Sequence, residues 1–428
     1  MRSAGATRRD FLKLAALSTL APAACGRRRD NVVCVLIDQL RRDAADLWFG
    51  RLKRLAARGV VFEEMRSAAP WTYPSVISLM SGLYPQQHGA DGHLLLDVLT
   101  TFDRRVPLLH RVLKRAGFRT AAFVTNPFLH RWNPFHEGFD HFDAHFVGSE
   151  GNRRGDDSVW IPESMFAGAV NQAIIEHFRR RRRSAPEFTY IHYIDVHGPW
   201  EHAPFTGSYE AAVRFIDERV ADIHAFFMQR YDGDLLFFVT SDHGMALADD
   251  EEIGSGRPWR KSKLSVHDFN LRIPFLVLPG RRVPEARIPG PCSNVDFVPT
   301  LLDWLRIPPP RGLPGASLLR AIRGEETLPA SRPIYARVSA FKGYSDCIVH
   351  RDRKYMRFFD LADGSVTARH TFDLRSDPRE ALSLGEDFGE AEPLIQKAAD
   401  VNGRAYVARV DGPSPELRRR LGALGYLR

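Results

Sequence analysis

Cysteine is scarce in this chain, and what there is has no metal-binding spacing. Cys25, Cys34, Cys292 and Cys347 are the only four in 428 residues, with no Cys-x-x-Cys pair, which argues against a zinc-ribbon site and a disulfide framework. Internal repeats and low-complexity linkers are lacking as well. The apolar run "LAALSTLAPAAC" (residues 14–25) is too short to cross a bilayer. An excess of acid is lacking too: 60 basic against 52 acidic residues leave a formal charge of +8. Much of that excess sits in short runs, "GRRRD" (residues 26–30) and "FRRRRRSAP" (residues 178–186), which read as solvated faces or helix ends and not as a nucleic-acid surface. A sequence pI near 9.4 still suits an anionic substrate or a membrane surface. With 44% hydrophobic residues the chain can bury a large core and is not a disordered one.

What is present begins with paired arginines. "TRRDFLK" (residues 7–13) places Arg8 and Arg9 before the short apolar run and its small-residue exit, the layout of a twin-arginine export signal. The competing reading is an amphipathic N-terminal helix. The expectation is a signal segment over residues 1–30, export of the folded protein by the twin-arginine machinery, and a place in the periplasm or on the surface of a bacterium. Membrane attachment follows only if Cys25 is lipidated, and Pro22 stands where a lipobox usually has an aliphatic residue.

Further on, strand and helix patterns alternate. "NVVCVLID" is an apolar β run ending in Asp38; "RLKRLAARGVVFEEM" reads as helix, Gly59 stop and strand; "VPLLHRVLKRAGFRTAAFVTN" repeats the pattern around Gly117. "FTYIHYIDVHGPW" and "DLLFFVTSDHG" are two more apolar strands with polar ends. This alternation predicts an α/β fold with a mostly parallel central sheet flanked by helices, whose ligand site lies beyond the carboxyl ends of the strands. Asp38, His197, Asp242 and His243 fall there. Singly they have ordinary explanations, a helix cap for Asp38 and turn chemistry for the rest. Together, two carboxylates and an imidazole from separate strands offer what a divalent cation binds.

These residues carry a resemblance. From Asn31 onward the chain is similar to the sulfatase branch of the alkaline phosphatase superfamily: "LIDQLRRD", "YPSVISLMSGLYPQQHG", "YIHYIDVHGPW", "VTSDHG", "LRIPFLVLPG", "NVDFVPTLLDWLRI", "TFDLRSDPRE" and "LGALGYL" follow the family's order. The resemblance implies an alkaline phosphatase-like catalytic domain over residues 31–325. It also implies a small antiparallel sheet within residues 326–428, closed by a helix in "PELRRRLGALGY". It puts the nucleophile on Thr72. Hydrolysing sulfatases carry there a cysteine or serine converted to formylglycine, with an arginine two positions after the proline, where this chain has Val76. Formylglycine is therefore not expected, and relatives that act on phosphate esters with an unmodified threonine or serine are the better guide. An ordinary helix N-cap is the alternative for Thr72.

By the same resemblance one divalent ion, Ca2+ in most of the family and Mg2+, Mn2+ or Zn2+ as alternatives, is held by Asp38, Asp242 and His243, with Thr72 and the amide of Gln39 as further ligands. Gln39 replaces a second aspartate, and Thr125 replaces the lysine that follows "AGYxTA". Asn126, His197, Lys263 and, in reserve, His267 are the remaining candidates for contact with an anionic ester; Lys263 is equally well a solvated loop residue. A sulfate ester hydrolase and a non-catalytic binding protein are the rival functions.

Overall fold

The computed structural model describes residues 29–90, 100–129, 133–144, 163–198, 200, 207–247, 250, 265–340, 343–360, 363–400 and 407–409. Among these are nine strands of the amino-terminal part: β1 (Asn31–Ile37), β2 (Val60–Arg66), β3 (Thr100–Phe102), β4 (Arg119–Val124), β5 (His141–Ala144), β6 (Glu187–Tyr193), β7 (Leu235–Ser241), β8 (Phe275–Leu278) and β9 (Ala286–Ser293). Eight of them form one sheet in the order β5-β4-β6-β1-β7-β8-β2-β9. β8 runs antiparallel to both neighbours, and every other pairing is parallel. Seven strands therefore point the same way, and their carboxyl ends line one edge.

The central strands β1, β6 and β7 are buried along their whole length, as continuous apolar runs require when helices cover both faces. Alternate β1 residues feed two cores: Val32, Cys34 and Leu36 pack on one side, Val33, Val35 and Ile37 on the other. Helices α1 (Arg42–Trp48) and α2 (Arg51–Ala56) follow β1. Helix α3 (Thr72–Ser81) belongs to the first core, and α4 (Leu109–Arg115) precedes β4. Helices α5 (Ala167–Arg179) and α6 (Tyr209–Tyr231) cover the second face. Gly59 has a reason beyond ending α2: a Cβ there would come within 2.1 Å of the Val277 carbonyl oxygen, so β8 can approach only a glycine.

The carboxyl-terminal strands β10 (Ile334–Ala340), β11 (Gly343–His350), β12 (Arg353–Phe359) and β13 (Val366–Asp373) form the expected antiparallel sheet. β14 (Val407–Arg409) instead pairs with β3. The small sheet docks on the main body: Ala336, Val338, Cys347, Met356 and Phe372 join the first core. Arg351 and Asp352, at φ 51° and 61°, make the two-residue left-handed turn between β11 and β12. The closing helix expected at residues 415–426 and all of the signal segment but Arg29 and Asp30 lie outside the described residues.

Candidate metal centre and active site

Register assembles the site. β1 and β7 are parallel neighbours with Ile37 opposite Ser241, so the next residues, Asp38 and Asp242, emerge side by side at the carboxyl edge. Asp38 does not cap the following helix, whose N-cap is Arg41. Both carboxylates are wholly buried, and His243 is 3% exposed.

Hydrogen bonds consume one side of each group and leave the other bare. Asp242 Oδ1 accepts the main-chain N–H groups of Gln39 (3.1 Å) and His243 (2.8 Å). Asp38 Oδ2 accepts from the Asn126 amide at 2.7 Å. The His243 Nδ1–H donates to the Gly244 carbonyl at 2.6 Å, so Nε2 keeps its lone pair. That Nε2 lies 3.6 Å from Asp242 Oδ2 and 3.9 Å from Asp38 Oδ1. These two carboxylate oxygens are buried without a hydrogen-bond partner among the described residues. Ligand atoms of Asp38, Asp242 and His243 all fall within 4.8 Å of one another. Buried acceptors aimed at one point, with nothing to donate to them, fit a divalent cation. Burial, then the nearby Asp242 charge, push the Asp38 carboxyl well above its ordinary range, while the Asn126 and Thr72 hydrogen bonds oppose the rise.

Thr72 sits at the rim of this cluster. It is the first residue of α3 and not its cap, which is Trp71. Its buried hydroxyl lies 3.5 Å from Asp38 Oδ2 and 3.5 Å from His243 Nε2. Ser75, one turn along, locks the helix to the strand end: its hydroxyl donates to the Asp242 carbonyl at 2.6 Å, and Asn294 Nδ2 donates to it at 3.1 Å. Nothing in the spacing alone singled out Ser75.

The other candidates divide. Asn126 is brought in, oriented by the Phe128 N–H on its Oδ1 at 2.9 Å. Gln39, at φ 60°, serves through its main chain, its carbonyl accepting from the Tyr209 hydroxyl at 2.8 Å. His197 is buried beside His192, its Nδ1–H donating to the Gly198 carbonyl at 2.6 Å. Asp195, from the same "DVH", turns away to accept the Ala167 N–H of α5 at 3.0 Å. His267 is fully buried, with Nδ1 2.8 Å from the Ser265 hydroxyl; three residues on, the Asn270 carbonyl accepts the Gly244 N–H at 2.7 Å. Lys263 lies outside the described residues.

His192 was not read from the sequence, although a histidine inside an apolar strand is a signal. Its Nε2 is 3.7 Å from Asp38 Oδ2 and has no hydrogen-bond partner among the described residues. Burial, the main cause, lowers its pKa to about 4, so the ring is neutral near pH 7. Thr125, standing where relatives are expected to have lysine, donates to the His192 carbonyl at 2.8 Å and lies 3.3 Å from its Nδ1.

With this geometry in place, the chain can be set beside known proteins. It is 24% identical to human (Homo sapiens) N-acetylgalactosamine-6-sulfatase over 404 residues, covering 82% of this chain and 77% of that protein. Arylsulfatase K of Gallus gallus is 30% identical over 172 residues, 38% of this chain and 30% of that protein. In fold it is similar to the phosphonate monoester hydrolase of Agrobacterium radiobacter, with a TM-score of 0.66 at 16% identity over 90% of this chain and all (100%) of that one. A protein solved with its substrate D-glucosamine-2-N,6-O-disulfate gives a TM-score of 0.65 at 15% identity, covering 89% and 98% of the two chains. Residues 30–307 match the family described as Sulfatase. The chain belongs to the sulfatase family and is an ester hydrolase of that kind.

Proposed function

We propose that this protein is an exported, metal-dependent hydrolase that cleaves a phosphate or phosphodiester ester, or transfers its phosphoryl group, with Thr72 as nucleophile. The observation that carries the reading is the Thr72 hydroxyl at the amino terminus of α3, 3.5 Å from both Asp38 Oδ2 and His243 Nε2. Sulfatase family members use a divalent metal ion, and Asp38, Asp242 and His243 form a cluster that fits one. Ca2+ is the family's expectation; an imidazole in so compact a donor set suits Mn2+ or Zn2+ better than an ion that seeks six to eight oxygens. Bound there, the cation supplies a Lewis acid that eases deprotonation of a neighbouring hydroxyl.

The chain's own groups do the rest. Thr72 Oγ1 attacks phosphorus in line, the ester oxygen departs with a proton, and a phosphothreonine remains until water or an acceptor alcohol opens it. The positive end of the α3 dipole is assigned to the incoming anion. Asn126 holds Asp38 in place; His197, Lys263 and His267 are assigned to the non-bridging oxygens and to protonation of the leaving group. Without formylglycine, a sulfated threonine has no second hydroxyl with which to expel sulfate, which disfavours sulfate ester hydrolysis, the activity that the names of the relatives suggest.

The test pairs trapping with substrate choice. A slow phosphate ester should leave a phosphoryl group on Thr72 in a peptide mass spectrum, and Thr72→Ala should lower kcat by roughly a thousandfold with metal affinity little changed. Brisk hydrolysis of nitrophenyl sulfate, with nitrophenyl phosphate and bis-nitrophenyl phosphate inert, would establish the rival.

A further inference from the structure

We infer that the edge of the sheet opposite the active site is a docking surface for an anionic lipid bilayer. The parallel strands begin at that edge, and the helices that precede them end there. Exposed Arg115 and Arg119 lie around the start of β4; exposed Arg179, Arg181 and Arg182 lie between α5 and the start of β6. These two groups are adjacent, because Arg119 donates its N–H to the Pro186 carbonyl at 2.9 Å and pairs in register with Glu187. Arg119, Arg181 and Arg182 line one shallow cleft.

The charge of these arginines is uncompensated among the described residues. None of the five has an ion-pair partner among the described residues, whereas acids near this edge are already taken. Glu187 is held by Arg230 at 3.1 Å, Asp30 by Arg282 at 2.7 Å, Asp232 by Arg281 at 2.9 Å and Asp140 by Lys114 at 2.6 Å. Two helix carboxyl termini supply about half a negative charge each, too little to neutralise five arginines.

A second, independent observation selects a membrane over a free polyanion. The chain enters the fold at this same edge: Arg29 Nη1 donates to the Ala116 carbonyl at 2.6 Å, three residues before Arg119, and the Asn31 N–H reaches the Asp234 carbonyl at 3.1 Å. The sequence just before it carries Arg27 and Arg28 and, upstream, the apolar run of residues 14–25. In sequence, the apolar run thus ends four residues before the point where the chain joins the basic face. Asp38, Asn126 and Asp242 lie at the far ends of strands some 20 Å long, so a bilayer on the arginine face leaves the active site open to solvent.

The experiment is flotation of the full chain with vesicles of phosphatidylcholine, with and without phosphatidylglycerol, comparing native protein with the triple variant Arg119→Glu, Arg181→Glu, Arg182→Glu. Native protein should bind the phosphatidylglycerol vesicles at least about tenfold more tightly than the variant, and salt should erase the difference. Hydrolysis of a soluble ester should be equal in the two, which confirms that the variant folds. Equal binding of the two proteins, or equal binding to neutral and anionic vesicles, would overturn the inference, the latter by assigning attachment to the apolar run alone. Retention on heparin without any vesicle binding would overturn it in favour of a soluble polyanion.

Discussion

Two of the acid clusters buried among the described residues are opposites. Asp268 and Glu380 meet Lys354, whose Nζ lies 2.7 Å from Asp268 Oδ1 and 2.8 Å from Glu380 Oε1, while Arg66 Nη2 is 2.7 Å from Asp268 Oδ2. Burial alone would push Asp268 up, but Arg66 and Lys354 outweigh it and hold the carboxyl far below its ordinary range. Asp38, equally buried, is pushed the other way, first by burial and then by the charge of Asp242, with no cationic side chain to outweigh them. One cluster carries its cations in the chain; the other presents bare oxygens and a lone pair to the same point. Where Asp268 and Glu380 have Arg66 and Lys354, Asp38 and Asp242 have no cationic side chain of the described residues between them, and a cation from outside would complete the charge.

That contrast is open to direct attack. The largest effect is expected at Asp242→Ala, which should abolish metal binding in calorimetry and drop turnover to background, roughly ten-thousandfold or more, while the circular dichroism spectrum stays native. Retained stoichiometric binding would mean that the cluster is not where the ion sits. Lys354→Met should do the reverse. It strands the buried Glu380 carboxylate, takes one of the two cations from Asp268 and should cost about 3–5 kcal/mol in urea unfolding, yet leave the metal dissociation constant unchanged in whatever protein remains folded.

The smallest effect is one of pH. Because Asp38 is raised in the folded state, its contribution to stability is complete below the ordinary carboxylate range and is lost as pH climbs above it, where the unfolded chain ionises first. A divalent ion takes the place of that proton, so the gain in Tm on replacing EDTA with Mn2+ should grow from pH 5 to pH 8. A gain that is constant or shrinks over that interval would detach the ion from Asp38.

Much of this was legible in the sequence because strand ends in a parallel sheet are simple to read. Continuous apolar runs gave β1, β6 and β7, and a polar residue stopping each run gave Asp38 and the Asp242–His243 pair. The antiparallel β8 was not legible, since four buried residues look alike in either direction. Nor was the Arg351–Asp352 turn, which lacks the Asn-Gly signature of left-handed turns. His192 and Ser75 stayed hidden for another reason. Each meets a partner distant in sequence, Asp38 for one and the Asp242 carbonyl for the other; the register of β1 and β6 brings the first pair together and the packing of α3 on the end of β7 the second. The Lys354 cluster joins β2, residue 268, β12 and residue 380, a meeting that no local pattern encodes.

The bond between the Gly244 N–H and the Asn270 carbonyl has a consequence for how this protein can change. A Cβ on Gly244 would come within 2.1 Å of the Phe269 carbonyl oxygen, so the two backbones are pressed together and the position admits only glycine. The bond clasps the two ends of the stretch from residue 245 to residue 269 beside the metal ligands. Lengthening such a loop even twofold costs only about 0.6 kcal/mol in closure entropy. A change of length between the two clasped ends therefore costs little while the Gly244–Asn270 bond keeps Asp242 and His243 in place.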